Sequence, residues 1–315
     1  MAIAPMANVT DAAFRQMLLK YGRPDVFFTE FVSVEGLISK GKERLLVDLW
    51  YNKKEHPIVA QIFGAKPEKF EKAAKIIREL SFDGIDINMG CPDKDIEKQG
   101  AGAALIKNPE LAKQIIRATK KGAGDLPVSV KTRIGYSKNQ IKEWIPILLN
   151  ENLAALTVHL RTKKEGYNIA AHWELASEIA ALRDSCAPET IILGNGDINI
   201  LNEAYEKIKK SGLDGVMVGR GILANPWLFS KKIPRIQERL KCMVKHAEIF
   251  EKMYKTDCDK NNDSLKSFNT IKKYFKAYAS GFDNAKDLRV LLMEAKNAIE
   301  VKKIAEKFTK ETNIF

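Results

Sequence analysis

From the N-terminus to about residue 230 the chain repeats one pattern: a short apolar run, a turn, then a stretch with apolar residues every three to four positions. The apolar runs at 2–6, 26–30, 58–62, 84–88, 128–131, 155–159, 191–193 and 215–218 read as strands. Helical periodicity lies between most of them, clearest at 12–21, 67–80, 109–120, 139–150, 172–182 and 198–210. In the second of these helices Phe70, Ala73, Ala74, Ile77 and Leu80 keep a 3.6-residue period. Thr10 and Asp11 stand as caps before the first helix, and Pro67 and Pro109 are first-turn residues. Eight strands alternating with helices predict an α/β fold, a (β/α)8 TIM barrel. A doubly wound open sheet is the alternative. Against it, no GxGxxG turn follows the first strand, and polar residues close nearly every strand.

After Asn225-Pro226-Trp227 the pattern changes to lysine-rich helices with no strand among them, at 234–255, 264–278, 285–294 and 300–311. A polar loop at 256–263 and a tight Gly281-Phe282 joint separate them. The expected organisation is a barrel over residues 1–230 and an all-helical C-terminal domain over 231–315. Charge sharpens this division. The net charge is +12, and residues 233–315 hold 18 Lys/Arg against 12 Asp/Glu, so that +6 falls on the tail and +6 on the first 232 residues. The tail is nearly three times as basic per residue, which favours a polyanionic partner over mere solubility. No apolar run approaches the roughly 18 residues of a membrane helix, and residues 1–5 lack the pattern of a signal peptide. A cytoplasmic protein with no membrane segment is expected, and a monomer by default. Four cysteines, at 91, 186, 242 and 258, form no CxxC pair and no metal-ligand spacing with the four histidines, so no metal is expected.

In such a barrel the carboxyl ends of the strands converge on one site. Here they carry Pro5-Met6-Ala7, Gln61, Asn88 to Cys91, Lys131 and Arg133, His159 and Arg161, Asn195-Gly196-Asp197, and Gly219-Arg220. Each has a plain structural explanation: Gln61 as a cap, His159 as a satisfied core histidine, Cys91 as a small buried side chain. Their common placement at one end of the strands points instead to a site. The glycine turns 194–196 and 219–221 offer backbone N–H groups at helix N-termini for a phosphate, with Arg220 adding a charge. Gln61 and Lys131 suit the polar edge of a flavin, whose reduced form carries negative charge that a cation stabilises, and Met6 suits its apolar face.

The blocks Ala4-Pro5-Met6-Ala7-Asn8-Val9-Thr10-Asp11, Ala60-Gln61-Ile62-Phe63-Gly64, Asp86-Ile87-Asn88-Met89-Gly90-Cys91-Pro92, Val130-Lys131-Thr132-Arg133, Val158-His159-Leu160-Arg161-Thr162, Gly194-Asn195-Gly196-Asp197-Ile198 and Val218-Gly219-Arg220-Gly221 occur in that order. Together they closely resemble the tRNA-dihydrouridine synthase family, and residues 273–295 look like its helical RNA-binding domain. The resemblance implies an FMN enzyme that uses NADPH or NADH to reduce the C5=C6 bond of selected uridines in tRNA. Pro5, Met6, Ala7, Gln61, Lys131, His159, Asn195, Gly196, Asp197, Gly219 and Arg220 would hold FMN. Cys91 would be the proton donor, Asn88 would face the uracil, and Arg161 would contact substrate. Asn8 stands where the family commonly has glycine, and Leu160 at a position usually small.

The resemblance also implies the course of the reaction, and the residue types suit it. A hydride reaches uracil C6, and a thiol protonates C5 from the opposite face. An ordinary cysteine, with a pKa of about 8.5, is mostly protonated at neutral pH, as an acid must be. The base must first leave its stack. Two other readings stay open: an FMN barrel that reduces a small pyrimidine or enone, as dihydroorotate and dihydropyrimidine dehydrogenases do, and a non-catalytic flavin-containing tRNA-binding protein.

Overall fold

The structure is a computed structural model in which residues 1–223, 225–255 and 265–312 are described. The loop expected at 256–263, with Cys258, lies outside the described residues. In chain order the elements are β1 (Ala2–Ile3), α1 (Ala12–Tyr21), β2 (Phe27–Ser33), α2 (Val34–Leu37), α3 (Lys42–Leu46), β3 (Ile58–Phe63), α4 (Pro67–Glu79), β4 (Gly84–Asn88), α5 (Lys94–Lys98), α6 (Pro109–Ala123), β5 (Val128–Arg133), α7 (Ile141–Leu149), β6 (Ala155–His159), α8 (Ala176–Cys186), β7 (Ile191–Asn195), α9 (Leu201–Ser211), β8 (Gly215–Val218), α10 (Ile236–Tyr254), α11 (Lys272–Tyr278), α12 (Ala285–Glu294) and α13 (Ala298–Glu311). All eight predicted strands are present. The short helices α2, α3 and α5 were not predicted, because four or five residues are too few to show a period.

The strands pair in parallel in the order β1-β8-β7-β6-β5-β4-β3-β2. The two end strands meet through a parallel bridge between Ala2 and Val26, and the Asp25 N–H donates to the Met1 carbonyl at 3.0 Å. The sheet therefore closes as the barrel expected from the alternation. β1 is shorter than its apolar run. Pro5 has no N–H for the ladder, and the Met6 N–H turns to the Thr10 hydroxyl at 2.9 Å. Asn8 then takes a left-handed φ of 56°, a conformation asparagine tolerates better than most residues, so the usual glycine is dispensable there. Leu160 is fully buried.

The chain forms two compact units, Met1–Thr10 with Pro24–Gly219, and Asp11–Arg23 with Arg220–Phe315. This differs from a contiguous division at 230, since α1 belongs to the helical unit. The reason lies in its side chains. Phe14, Met17 and Leu18 are fully buried, and Phe14 stacks on Tyr274 at 5.0 Å. Tyr21 packs against Trp227 at 4.6 Å, and a Cβ on Gly22 would come within 2.7 Å of the Pro226 carbonyl. Periodicity identified α1 as a helix but carries no information about its partner.

In the barrel unit the strands alternate faces with period two. All five residues of β4 are buried, as expected of a parallel strand covered on both sides. Asp86 and Asn88 face the interior, between Ile85 and Ile87. Ala2, Ala4, Phe28 and Met217 form an apolar cluster joined by Met6, Val26, Val59 and Leu193. In α4 the predicted face is buried from Phe70 to Ile77, while Leu80, now the C-cap, is exposed.

The helical unit buries His246 completely, against Phe14 and Tyr274 and with its Nδ1 3.3 Å from the Tyr278 hydroxyl. Burial pushes its pKa down to about 3, so the folded chain holds it neutral. Below its ordinary value of 6.5 the unfolded chain binds a proton that the folded chain refuses. The stability it contributes is complete above pH 6.5 and is lost as pH falls toward 3, by up to about 1.4 kcal/mol per pH unit. His246→Phe should flatten this component. Urea unfolding at pH 6.5 and 4.5 is expected to lose about 2–3 kcal/mol more in the native chain than in the variant.

Candidate active site

The parallel register sets the site. Gln61 is paired with Asp86, Asp86 with Ser129, and Asn88 with Lys131, while Arg133, His159, Asn195 and Met217 follow one another across β5 to β8. Residues paired across a parallel ladder share a face, so these side chains meet inside the mouth of the barrel. Gln61 Nε2 donates to Asp86 Oδ2 at 2.6 Å, and the Ser129 hydroxyl donates to Asp86 Oδ1 at 2.6 Å. Asn88 Nδ2 donates to Gln61 Oε1 at 2.9 Å. Asn88 Oδ1 in turn accepts the N–H groups of Gly90 and Cys91 at 3.1 and 2.9 Å.

The turn carrying Cys91 is held from every side. The Cys91 carbonyl accepts the Ala103 N–H at 2.9 Å, and the Gly90 carbonyl accepts Arg133 Nε at 2.7 Å. The Met89 N–H reaches the Lys131 carbonyl at 2.8 Å, and the Thr132 hydroxyl donates to the Met89 carbonyl while accepting from Trp144 Nε1. Gly102, at a φ of +60°, lies so close that a Cβ there would come within 2.8 Å of the Cys91 carbonyl. The thiol is partly exposed and forms no disulfide. Burial raises its pKa, and the Asp93 charge adds to this; a hydrogen bond from the Asp93 backbone and the charges of Arg133 and Lys131 oppose it. The result is a neutral thiol on a rigid turn.

Lys131 lies beside it. Its Nζ donates to Asn195 Oδ1 at 3.1 Å, and Asn195 is fixed by donating Nδ2 to the Met217 carbonyl at 2.7 Å. Burial and then the neighbouring Arg133 charge lower the Lys131 pKa to about 8, against the pull of Asp86 and Cys91. Burial raises Asp86 to about 6, though its hydrogen bonds from Ser129 and Gln61 and the Lys131 charge work the other way. No carboxylate pairs with Lys131 among the described residues. After the bonds above, Gln61 and Asn88 each keep one amide N–H uncommitted. The mouth thus presents a cation and N–H donors, a surface that accepts carbonyl oxygens or an anionic ring edge.

The turn after β7 is built to present backbone. Gly196 and Asp197 have φ of 128° and 45°, and the Gly196 carbonyl accepts Trp173 Nε1 at 2.9 Å. The Asp197 carbonyl accepts Lys207 Nζ at 2.9 Å. Arg161 is 2% exposed, and its guanidinium holds the Asp197 carboxylate, the Ile169 carbonyl and His159 Nε2. His159 is buried between these groups. Met6 is half-buried, Pro5 is buried and Ala7 is exposed. The position of a Gly219 Cβ has no heavy atom nearer than 3.9 Å, leaving room beside the backbone. Arg220 is exposed and opens a 3-10 turn, not the helix expected after β8.

Two residues of this site were under-read in the sequence. Asp86 looked like one more polar alternation in β4, and Arg133 was visible at a strand end without a role. The signal for Asp86 was a carboxylate two residues before Asn88 on the interior face of a parallel strand, where an unpaired charge is costly. Cys242 is buried with its pKa pushed to about 12, and Cys186 is exposed on α8. Among the described residues no group of three or more His, Cys, Asp or Glu could hold a metal ion.

Comparison with known proteins places the chain in a family. The model of the family described as "Dihydrouridine synthase (Dus)" matches residues 2–313. A "Probable tRNA-dihydrouridine synthase" of Staphylococcus aureus (strain Mu50 / ATCC 700699) is 40% identical over 311 residues, 97% of this chain and 92% of that protein. A "Probable tRNA-dihydrouridine synthase 2" of Bacillus subtilis (strain 168) is 39% identical over 313 residues, 98% of this chain and 94% of that protein. Among solved structures, morphinone reductase superposes with a TM-score of 0.53 at 12% identity, covering 73% of this chain and 84% of that one, a likeness of fold. On the family match and these near-complete alignments, the chain belongs to the dihydrouridine synthase family.

Proposed function

We propose that this chain is a tRNA-dihydrouridine synthase, an FMN-dependent oxidoreductase that reduces the C5=C6 bond of selected uridines with NADPH or NADH. The observation that carries the reading is the neutral Cys91 thiol, fixed by the Asn88 carboxamide beside the cation of Lys131. The donor set fits a flavin. Gln61 and Lys131 offer N–H groups to the carbonyl-bearing edge of its ring, and Met6 offers an apolar surface. His159, Asn195, Gly196, Asp197, Gly219 and Arg220 would hold its ribityl chain and phosphate, with Pro5 and Ala7 shaping the remaining wall.

Bound FMN would supply the hydride equivalent that reaches C6 of the base. The protein's own part is positional and acidic. Asn88 orients the uracil by a carbonyl oxygen, and the Cys91 thiol gives its proton to C5. Burial keeps that proton on sulfur until it is needed. Arg161, tied to Asp197 and Ile169, supports the wall around His159 rather than reaching outward.

The helical unit supplies the reason to prefer RNA over a small pyrimidine or enone. A groove of about 570 Å³ between α10 and α13 is lined by Lys241, Lys245, Lys302 and Lys310. Glu248 and Glu306 pair with Lys245 and Lys302, which leaves Lys241 and Lys310 as the stronger phosphate contacts. The reading is of a monomeric, cytoplasmic enzyme. Among the described residues no helix is long and apolar enough to cross a membrane.

Purified protein should carry, or take up, an oxidised flavin spectrum. Cys91→Ala should keep that spectrum and lose uridine reduction by about two to four orders of magnitude, the usual share of a general acid, as read by dihydrouridine in tRNA. A variant that turns over at the native rate would place the acid elsewhere. Replacing Lys241 and Lys310 with Gln should weaken tRNA binding and reduce the slope of log K against log salt by roughly 1.5.

A further inference from the structure

The hydrogen bonds of the site form a directed chain whose direction is set at one end by Asp86. The carboxylate accepts from Gln61 Nε2 and from the Ser129 hydroxyl, both at 2.6 Å, and it is fully buried. An ionised carboxylate only accepts. Gln61 must therefore turn its NH2 to Asp86 and its oxygen to Asn88. Asn88 must turn its NH2 to Gln61 at 2.9 Å and its oxygen to the turn. At the far end the Gly90 and Cys91 N–H groups only donate, which demands the same order. Flipping either amide would set donor against donor at one contact and acceptor against acceptor at another.

We propose that Asp86 is a positioning residue: it fixes the amide orientation of Gln61 and Asn88, and through Asn88 the turn that carries Cys91, so that the spare N–H of each amide faces the ligand. The part concerning the ligand rests on the flavin reading above; the part concerning the Cys91 turn does not. The Asp86 carboxylate bonds to Gln61 and Ser129 and not to the thiol. It acts from the interior face of β4, two residues before Asn88, and Ser129 on β5 supplies the one partner that can adapt, since a hydroxyl both donates and accepts.

That adaptability yields the test. In Asp86→Asn the new amide can keep its oxygen toward Gln61 and donate to Ser129, so the direction survives. In Asp86→Leu the Gln61 NH2 has no acceptor, so the chain loses its anchor and only the turn itself still sets its direction. In the double variant Asp86→Asn with Ser129→Ala the new NH2 has no acceptor, and the retained direction loses its support. Two measurements follow on full-length protein. One is iodoacetamide alkylation of Cys91, read by mass spectrometry of its peptide. The other is FMN affinity, with the visible band position of the bound flavin. Asp86→Asn should stay within about threefold of native in both, while Asp86→Leu should alkylate at least about tenfold faster and bind FMN at least about tenfold more weakly. The double variant should behave like Asp86→Leu, and it decides the matter should Asp86→Leu not fold. Native behaviour in either disruptive variant, or Asp86→Asn failing as badly as they do, would overturn the proposal. If native protein binds no FMN, the flavin reading fails, while the alkylation series still tests Asp86.

Discussion

The carboxamide oxygen of Asn88, accepting two successive backbone N–H groups, is the contact on which the site depends. A turn that leaves a buried strand must find partners for N–H groups no longer paired in the ladder, at a cost of about 1–3 kcal/mol for each one left unmet. Asn88 meets both at once and in doing so fixes where the thiol of Cys91 stands. The carboxamide is itself anchored through Gln61 to Asp86, and that anchor exists only because the parallel register sets Gln61, Asp86 and Ser129 side by side. The pairing of β3, β4 and β5 and the placement of the reactive group are therefore one problem with one solution.

The same burial accounts for the electrostatics. A site withdrawn from water disfavours charge on whatever it encloses. It keeps the Cys91 proton on sulfur, weakens the hold of Lys131 on its proton and strengthens that of Asp86 on its own. Arg133 and Lys131 partly counter the effect at Cys91, whereas burial pushes the Cys242 thiol up to about 12. The two cysteines differ in both burial and neighbours: Cys242 is fully buried, whereas Cys91 is partly exposed beside Arg133 and Lys131.

Much of this was legible in the sequence, and the limits are physical. Strands and long helices follow from periodicity, which is local, and the polar residues at the strand ends were visible because an apolar run ending in Asn, Lys or His is conspicuous. What the pattern could not supply is register and direction. Asp86 becomes meaningful only when Gln61 and Ser129 are known to flank it. Arg161 reads as an outward-facing cation by residue type, yet it is enclosed and bound to Asp197. The turn after β8 reads as a helix start from its glycines, whereas a single 3-10 turn follows.

The membership of α1 in the helical unit makes that unit discontinuous in sequence. Its core joins Phe14 and Tyr21, made first during synthesis, to Trp227, His246 and Tyr274, made last. The unit cannot close until nearly the whole chain has emerged, and until then α1 has an apolar face without its partners. A truncation after the barrel would strip α1 of its packing as well as removing α10 to α13. A chain cut short before α10 and α11 thus carries the defect back to α1.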